Sequence, residues 1–335
     1  MLVAAVIAEL PPHVEQNRRV GSRETGAEFV GGDCHIGHCV MMPVRRRADQ
    51  GAQSVGAGGR ICRRTTLDAA EQFYAHERMT VTITQDTDTF TTDWQRWHAQ
   101  RVGAAKAAYG LAAVTGTHWL GAEPAEYPGV PGRWSVRDGR VVGTDVVGAP
   151  LDLEVGTAWR LGETDLEVRV LSRGDDVAIR VVDPAAETRS ALVDIDAYEP
   201  DPAWVVQGRF APADAGATIT IDHADGAVLD DPLAGRIEVE LDGETHSLAA
   251  FPQADGGLQV SFSDTTSGSE TARFRFVTTT APDDQGRVSI DFNRAYLPPS
   301  TFTAHYLCPL PPAGNRLATA IRAGEKLPRT SADDA

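Results

Sequence analysis

The chain has 335 residues, of which 42% are hydrophobic and 7% aromatic, and its formal net charge is −16. This length is enough for one large β domain or for two ordinary domains with a core each. An acidic surface repels phosphates and anionic lipids, and no stretch approaches the roughly 18–20 apolar residues of a membrane span. We therefore expect neither nucleic acid nor a membrane as a partner.

Residues 1–78 differ in composition from the remainder. They hold ten arginines against nine acidic residues, so their net charge is +1, and they contain irregular clusters such as 31-GGDCHIGHC-39. No amphipathic period persists there, which predicts low order. We interpret Met79 as the biological start, and a disordered N-terminal arm is the alternative.

Cysteine usage bears on metal sites and on compartment. Two cysteines and two histidines lie in 34-CHIGHC-39, with Cys62 further on, but the paired Cys-x2-Cys spacing is absent and no metal site is predicted. Only Cys308 lies beyond residue 78. A single cysteine in the main body disfavours a disulfide framework, so a cytoplasmic protein is predicted.

The first regular element is a helix after Met79. Asp93 is a plausible N-cap, and Trp94, Trp97, Arg101 and Ala105 recur at spacings of three and four, as on one helix face. The pattern predicts that the helix ends by Gly110.

Short strand-like runs fill the chain after this helix. They alternate apolar and polar residues, as in 165-DLEVRVLSRG-174 and 236-RIEVELDGETHSLAAF-251, and turn dipeptides at Asp138-Gly139, Asp225-Gly226 and Asp242-Gly243 separate them. So many strands with so little helix between them exclude a parallel α/β sheet. The prediction is a mainly β fold, an antiparallel barrel or sandwich of ten to twelve strands with one N-terminal and one short C-terminal helix.

The C-terminal helix is expected to begin near Asn315, to bury Leu317, Ala320 and Ile321, and to end at Gly324. The β-rich domain is predicted to span 79–328, with a possible sub-boundary near 211–217, where Pro212 and Gly216 interrupt the strands. A frayed tail over 329–335 is expected to follow.

The last third of the chain carries three unusual runs: 264-DTTSGSET-271, 291-DFNRAYLPPSTF-302 and 308-CPLPPAGNRLATAIRAGEK-326. They resemble an uncharacterised bacterial and archaeal family, domain-of-unknown-function family 1684, over about 79–327. This chain departs from the family pattern at Ala272, Leu297 and Ser300, where the family has Tyr, Asn and Cys. The resemblance implies a fold-sized unit but no reaction.

The polar residues of these runs are the candidates for a binding site. Four are carboxylates expected at strand ends and loops, and Arg275, Arg316 and Lys326 could pair with them. Two interpretations stay open, a polar pocket at one end of the β fold and an ion-paired network that ties the C-terminal segment to it. The candidate ligand-binding residues are Asp264, Ser267, Glu270, Arg275, Asp291, Asn293, Tyr296, Asn315, Glu325 and His118.

Three residues invite a catalytic interpretation beside a simpler one. Ser267 lacks the flanking glycine of a nucleophile elbow, so a turn serine is favoured. Cys308 has His305 three residues before it, but a small buried core cysteine is favoured over a nucleophile. His118, followed by Trp119, is expected to be a hydrogen-bonded interior histidine, with a ligand-binding role as the alternative.

Three functions are compatible with these sequence features. The first is a cytoplasmic β-rich protein that binds an unknown small molecule in a polar-mouthed pocket, without cofactor or metal. The second is a metal-independent hydrolase or isomerase that uses carboxylates of the same pocket, and the third is a structural or protein-interaction module. A cavity lined by Asp264, Arg275, Asp291 and Asn315 would favour the first two, whereas mutual pairing of these side chains would favour the third.

Overall fold

The computed structural model describes residues 87–146 and 150–333. The predicted N-terminal extension 1–78, with Met79 and the cluster 34-CHIGHC-39, lies outside these residues. Among the described helices, none is both long and apolar enough to cross a bilayer.

The first element is the helix α1 (Thr87–Lys106). It begins before Asp93, so Asp93 is not its N-cap; instead Asp93 lies within the helix and accepts a hydrogen bond from Arg96 three residues later. The predicted inner face is confirmed, since Ala105 is fully buried and Trp97 packs against a core cluster. The apolar period therefore located the helix better than the capping signal did.

Two four-stranded antiparallel sheets follow α1. One has the order β1-β8-β7-β6 and the other the order β2-β3-β4-β5. Trp134, Val141, Val168 and Ile179, two from each sheet, share one buried cluster, so the sheets pack face to face as a sandwich. The strand bounds are β1 (Val114–Trp119), β2 (Ala125–Tyr127), β3 (Val130–Arg137), β4 (Arg140–Thr144), β5 (Leu151–Leu153), β6 (Ala158–Arg160), β7 (Glu167–Arg173) and β8 (Asp176–Val182).

A short connection leads from the sandwich into a barrel. It consists of the helix α2 (Glu187–Ala191) and the strand β9 (Leu192–Ala197), neither of which the sequence pattern predicted. The next eight strands are β10 (Val205–Pro212), β11 (Thr218–Asp222), β12 (Val228–Pro232), β13 (Gly235–Leu241), β14 (Glu244–Pro252), β15 (Leu258–Phe262), β16 (Arg275–Thr279) and β17 (Arg287–Asp291).

Six of these strands close into a barrel of the order β10-β13-β14-β15-β16-β17, while β11 and β12 form a separate hairpin. Alternate residues of β13 are buried, which is the period of a strand with one face in the core. The hairpin turn at Asp242-Gly243 was predicted correctly, because both residues have the positive φ of a type I′ turn, 51° and 79°.

The last strand, β18 (Glu325–Thr330), pairs antiparallel with β9. It continues past residue 328, the predicted end of the domain, and its Arg329 forms ion pairs with Asp194 and Asp196. The predicted sub-boundary at 211–217 falls between β10 and β11, and a division into domains stays a prediction.

The protein is mainly β, as predicted, but the details of the prediction were wrong in two respects. The described residues hold eighteen strands rather than ten to twelve, and they combine a sandwich with a barrel. The C-terminal helix from Asn315 to Gly324 does not exist; only a single 3-10 turn, Ala313–Asn315, is helical there. Leu317 and Ile321 are buried as expected, but Ala320 is only half-buried, and the backbone that packs these residues into the barrel core is irregular.

Candidate functional site

The predicted site begins at the end of β15, where Asp264 meets Arg275 of β16. Their ion pair is 2.8 Å long, and both side chains are fully buried. Arg275 also donates to the backbone carbonyl oxygens of Ile321, Ala323 and Glu325. Burial lowers the pKa of the Arg275 guanidinium, against the opposing effect of Asp264, yet an arginine remains charged at neutral pH.

The Asp264 carboxylate also accepts hydrogen bonds from groups other than Arg275. Its Oδ2 accepts the Ile321 backbone N–H at 3.0 Å, and its Oδ1 accepts the N–H and hydroxyl of Thr266. Ser267 donates its hydroxyl to Asp264 and accepts the Asp264 N–H. These bonds make 264–267 a side-chain-stabilised turn, so both bonding functions of the Ser267 hydroxyl are used within it.

These contacts explain why the predicted C-terminal helix is absent. A helix would satisfy its own backbone groups, whereas the backbone around residues 321–325 donates to Asp264 and accepts hydrogen bonds from Arg275. Gly324 has a φ of 78°, and a Cβ there would lie 2.5 Å from the carbonyl oxygen of Ala295. This close approach leads the chain directly into β18.

Glu325 is the first residue of β18, and its fully buried side chain forms a second ion pair, with the partly exposed Arg101. Arg101 of α1 binds its two carboxylate oxygens at 2.9 and 3.0 Å, and the Leu297 backbone N–H donates to it at 2.7 Å. The Arg101 guanidinium also lies over the Tyr296 ring, 4.8 Å from its centre. Burial raises the pKa of the Tyr296 phenol, whose oxygen accepts a hydrogen bond from Gln259.

Asp291 and Asn293 hold the turn that follows β17. The Asn293 side chain bonds both the N–H and the carbonyl of Asp201, and it also donates to Asp291. Asp291 accepts the Asn293 backbone N–H, and the Asn293 carbonyl accepts the indole N–H of Trp94 at 2.7 Å. The pair thus joins the barrel to α1 and to the loop at residue 201.

Asn315 lies between β14 and β15, and its side chain is completely buried. Those strands pair only at Phe251–Gln259 and Pro252–Leu258, and two residues further on Ala249 would face Ser261. The Asn315 amide fills this place: it accepts the Ala249 N–H at 2.8 Å and donates to the carbonyls of Ala249 and Ser261 at 2.9 and 2.8 Å. The side chain replaces a missing rung of the barrel.

Two predicted residues lie apart from this network. Glu270 is at the surface, where hydrogen bonds from Arg322 and then Tyr198 lower its pKa. His118 belongs to the sandwich; its Nε2 hydrogen-bonds the Pro128 carbonyl, and its ring packs against Tyr127. Neither contributes to the contacts around Asp264.

The structure therefore brings Asp264, Arg275, Glu325 and Tyr296 into one buried network, with Asp291–Asn293 and Asn315 as separate anchors. Each side chain bonds protein groups, chiefly backbone, so the arrangement fixes residues 315–325 to the barrel and to α1. Ligand binding by any of the predicted residues stays a prediction. Cys308 is a buried, free core cysteine, as predicted.

Two members of the polar core were not predicted from the sequence. The sequence predicted that Arg101 lies on the inner face of α1 but not that it pairs with a carboxylate. A cation between Trp97 and Ala105 on that face was the available signal for a buried acidic partner. The second is His223, directly after β11, whose Nε2 lies 3.1 Å from the Asp231 carboxylate in a buried pair. Nothing in the local pattern marked it, because the pair depends on the β11–β12 hairpin register.

An open groove of about 400 Å³ lies between the β11–β12 hairpin, the barrel and the proline-rich segment 311–316. β11 contributes residues 219–222, and the segment contributes Pro311, Pro312 and Arg316. Arg236 of β13 is the second cation, and its Nη1 is 3.6 Å from the position that a Cβ on Gly314 would take. The groove runs over the outer side of the barrel where Asn315 holds the strands together.

Comparison with known proteins agrees with the resemblance seen in the sequence. Residues 190–326 match the model of a family described as "Protein of unknown function (DUF1684)", a narrower span than 79–327. No curated protein matches. Among solved structures, the chain is similar to the solution NMR structure of an uncharacterized protein of Haloarcula marismortui, with 29% identity over 39% of this chain and 75% of that chain and a TM-score of 0.34. The family match covers the barrel and every predicted site residue except His118.

Proposed function

We propose that this protein, whose residues 190–326 match a family of unknown function, binds a small molecule with an anionic group in the groove beside the β11–β12 hairpin. The observation that carries the proposal is the presence of two exposed arginines, Arg236 and Arg316, in the lining of one groove. Across residues 87–146 and 150–333, neither guanidinium has a carboxylate partner. Arg236 donates only to the Ser247 carbonyl, at 3.4 Å.

Guanidinium groups bind carboxylates and phosphates through paired N–H donors, so two of them on one groove favour an anion. Two arginines on one groove form a local positive charge on a chain whose net charge is −16. Ile219, Pro311 and Pro312 supply apolar surface for the organic part of a ligand. The groove volume lies within the roughly 300–1,000 Å³ typical of small-molecule sites.

Asp222 limits which ligands fit. It lines the same groove and is exposed, so it would repel a second anionic group and accept a hydrogen bond from a ligand hydroxyl or amine. The proposed ligand class is thus a small molecule with one phosphate or carboxylate and a hydrogen-bond donor.

In this proposal the predicted polar residues support the groove without binding the ligand. Asn315, Asp264 and Arg275 hold the segment that includes the proline-rich wall, and their side chains bond protein groups instead of facing the groove. Asp264 and Glu325 accept hydrogen bonds from protein donors, which favours a structural part for them over the alternative of a carboxylate enzyme.

The test is a chemical-shift titration of the full chain with inorganic phosphate, acetate and phenyl phosphate. We expect saturable shifts at the amides of residues 219–222 and 313–316, with phenyl phosphate the tightest because it also contacts apolar surface. Arg236→Ala and Arg316→Ala should each weaken binding by roughly tenfold, about the value of one charge-assisted hydrogen bond. Arg209→Ala is the matched control, an exposed arginine of β10 outside the groove lining.

Equal binding by the Arg236→Ala, Arg316→Ala double variant and the unaltered chain would overturn the proposal. The absence of binding by all three probes would also overturn it. That second result would favour a structural or protein-interaction module, the candidate function that the pairing of Asp264 with Arg275 supports.

A cytoplasmic location is part of the proposal. It is supported by Cys308, a buried free thiol in the described part of the chain. Fractionation of cells that produce the protein at native level tests it, and recovery in a secreted or membrane fraction would contradict it.

A further inference from the structure

One buried histidine bridges two walls of the proposed groove. His223 lies at the end of β11, and it is 8% exposed. Its Nδ1 is 3.0 Å from the carbonyl oxygen of Leu307, and its Nε2 is 3.1 Å from Oδ2 of Asp231. The ring therefore joins the β11–β12 hairpin to the segment 307–312, which we call the strap.

Both ring nitrogens face hydrogen-bond acceptors. A neutral imidazole has one N–H, so it can donate to the carbonyl or to the carboxylate, and its other nitrogen then faces an oxygen lone pair. Only the doubly protonated imidazolium satisfies both contacts at once. The geometry thus selects the charged form of His223.

The electrostatic surroundings favour the same form. Burial disfavours the charged ring, but the Asp231 carboxylate, the Leu307 carbonyl and the charge of Asp225 outweigh it, so the pKa of His223 is raised above 6.5. Asp225 in the hairpin turn is itself paired with Arg173 of β7 at 2.7 Å. On the strap side the ring meets the backbone carbonyl of Leu307 and no charged side chain among the described residues.

Backbone hydrogen bonds couple this contact to the groove. The Ala224 N–H donates to the Cys308 carbonyl, and the Leu310 N–H donates to the Asp222 carbonyl, both at 2.8 Å. Asp222 lines one side of the groove, and Pro311, directly after Leu310, lines the other. A strap that detaches from His223 would separate these two residues.

We propose that the His223–Asp231 pair is a protonation-dependent latch that holds the strap on the β11–β12 hairpin and so keeps the two walls of the anion-binding groove together. This inference deepens the proposed function and rests on it for the groove alone; the latch itself is independent of any ligand. Since a histidine with a raised pKa stabilises the state in which it is protonated, the latch is closed at pH values below 6.5 and opens as the pH rises through the higher value of the folded protein.

The experiment measures the latch without ligand. The pKa of His223 is read from its ring protons by NMR, and exchange protection of the Ala224 and Leu310 amides is followed across pH 5–9 after correction for intrinsic rates. We expect protection to fall by roughly tenfold as the pH rises through the His223 midpoint, the scale of one hydrogen bond to a charged group. In His223→Gln the protection should be low at every pH, and in Asp231→Asn the midpoint should shift to lower pH.

His98→Gln is the matched control, since His98 of α1 hydrogen-bonds the Ile195 carbonyl far from the strap in sequence and should leave the profile unchanged. A wild-type His223 pKa at or below 6.5 would overturn the latch, and this result needs no variant to fold. Protection of Ala224 and Leu310 that does not follow the His223 titration would overturn it as well. Phenyl phosphate binding, measured separately, should weaken over the same pH range; failure to bind at any pH would refute the proposed function while leaving the latch intact.

Discussion

Replacement of Asn315 by alanine should strongly destabilise the barrel. The Asn315 amide occupies the place of a missing backbone rung between β14 and β15 and makes three hydrogen bonds of 2.8–2.9 Å there. Alanine removes all three bonds and leaves the N–H and carbonyl of Ala249 and the carbonyl of Ser261 buried without them. These groups belong to strands that already pair at only two positions.

The expected loss follows from the cost of unsatisfied polar groups. A buried donor or acceptor that loses its partner costs about 1–3 kcal/mol. Three such groups would cost about 3–9 kcal/mol, with the lower end expected because water can enter the space that the amide leaves. Against a typical total stability of about 5–15 kcal/mol, this is a large fraction.

Urea unfolding, followed by tryptophan fluorescence, measures the change. Arg316→Ala is the matched control, because the adjacent side chain is exposed, forms no hydrogen bond or ion pair with the described residues and should change stability by less than about 0.5 kcal/mol. Asn315→Asp separates shape from bonding, since a carboxylate can accept from Ala249 but cannot donate to the two carbonyls. A loss below about 1 kcal/mol in Asn315→Ala would refute the idea that this side chain replaces a rung.

Three further predictions concern other polar contacts of the chain. Asp291→Ala and Asn293→Ala should each lower the free energy of unfolding by about 1–3 kcal/mol in urea, because both side chains bond buried or half-buried backbone; unchanged stability at both would point to a ligand-binding role. Arg101→Met should cost about 3–5 kcal/mol at pH 7, since it leaves the Glu325 carboxylate buried and unpaired, and a loss no larger than that of the exposed control Arg96→Met would contradict this. Arg322→Ala should raise the pKa of Glu270 toward its ordinary value in an NMR titration; because that pKa is lowered in the folded chain, the pair stabilises above the ordinary pKa and its contribution is lost as the pH falls. An unchanged Glu270 titration would show that Arg322 is not the main cause.

Local sequence patterns predicted the structure correctly where a residue's neighbours along the chain set its conformation. Alternation along β13 and the turn at Asp242-Gly243 predicted a hairpin, since strand period and positive φ are properties of consecutive residues. The face formed by Trp94, Trp97, Arg101 and Ala105 predicted the inner side of α1 for the same reason. The mainly β class and the polar character of the last third were also determined by the sequence alone.

The C-terminal segment was decided by contacts that the local pattern does not contain. Leu317 and Ile321 have helical spacing and are buried, yet the backbone is not helical because Asp264 and Arg275 bond its N–H and carbonyl groups. Those side chains lie 46 or more positions away along the chain from Ile321, so no window around the segment could reveal them. Where tertiary partners satisfy the backbone, helical periodicity no longer distinguishes a helix from a packed irregular segment.

For the candidate site too, the sequence determined one part and the tertiary structure another. The sequence indicated the polar residues of 264–326 as candidates, but only the tertiary structure showed that Arg275 points to the backbone near Ile321 and that Asn315 points between two barrel strands. The groove with Arg236 and Arg316, and the His223–Asp231 pair, depend on how the β11–β12 hairpin packs against the strap. The sequence determines which residue types are present, whereas strand register and packing between distant segments determine the direction in which each side chain points.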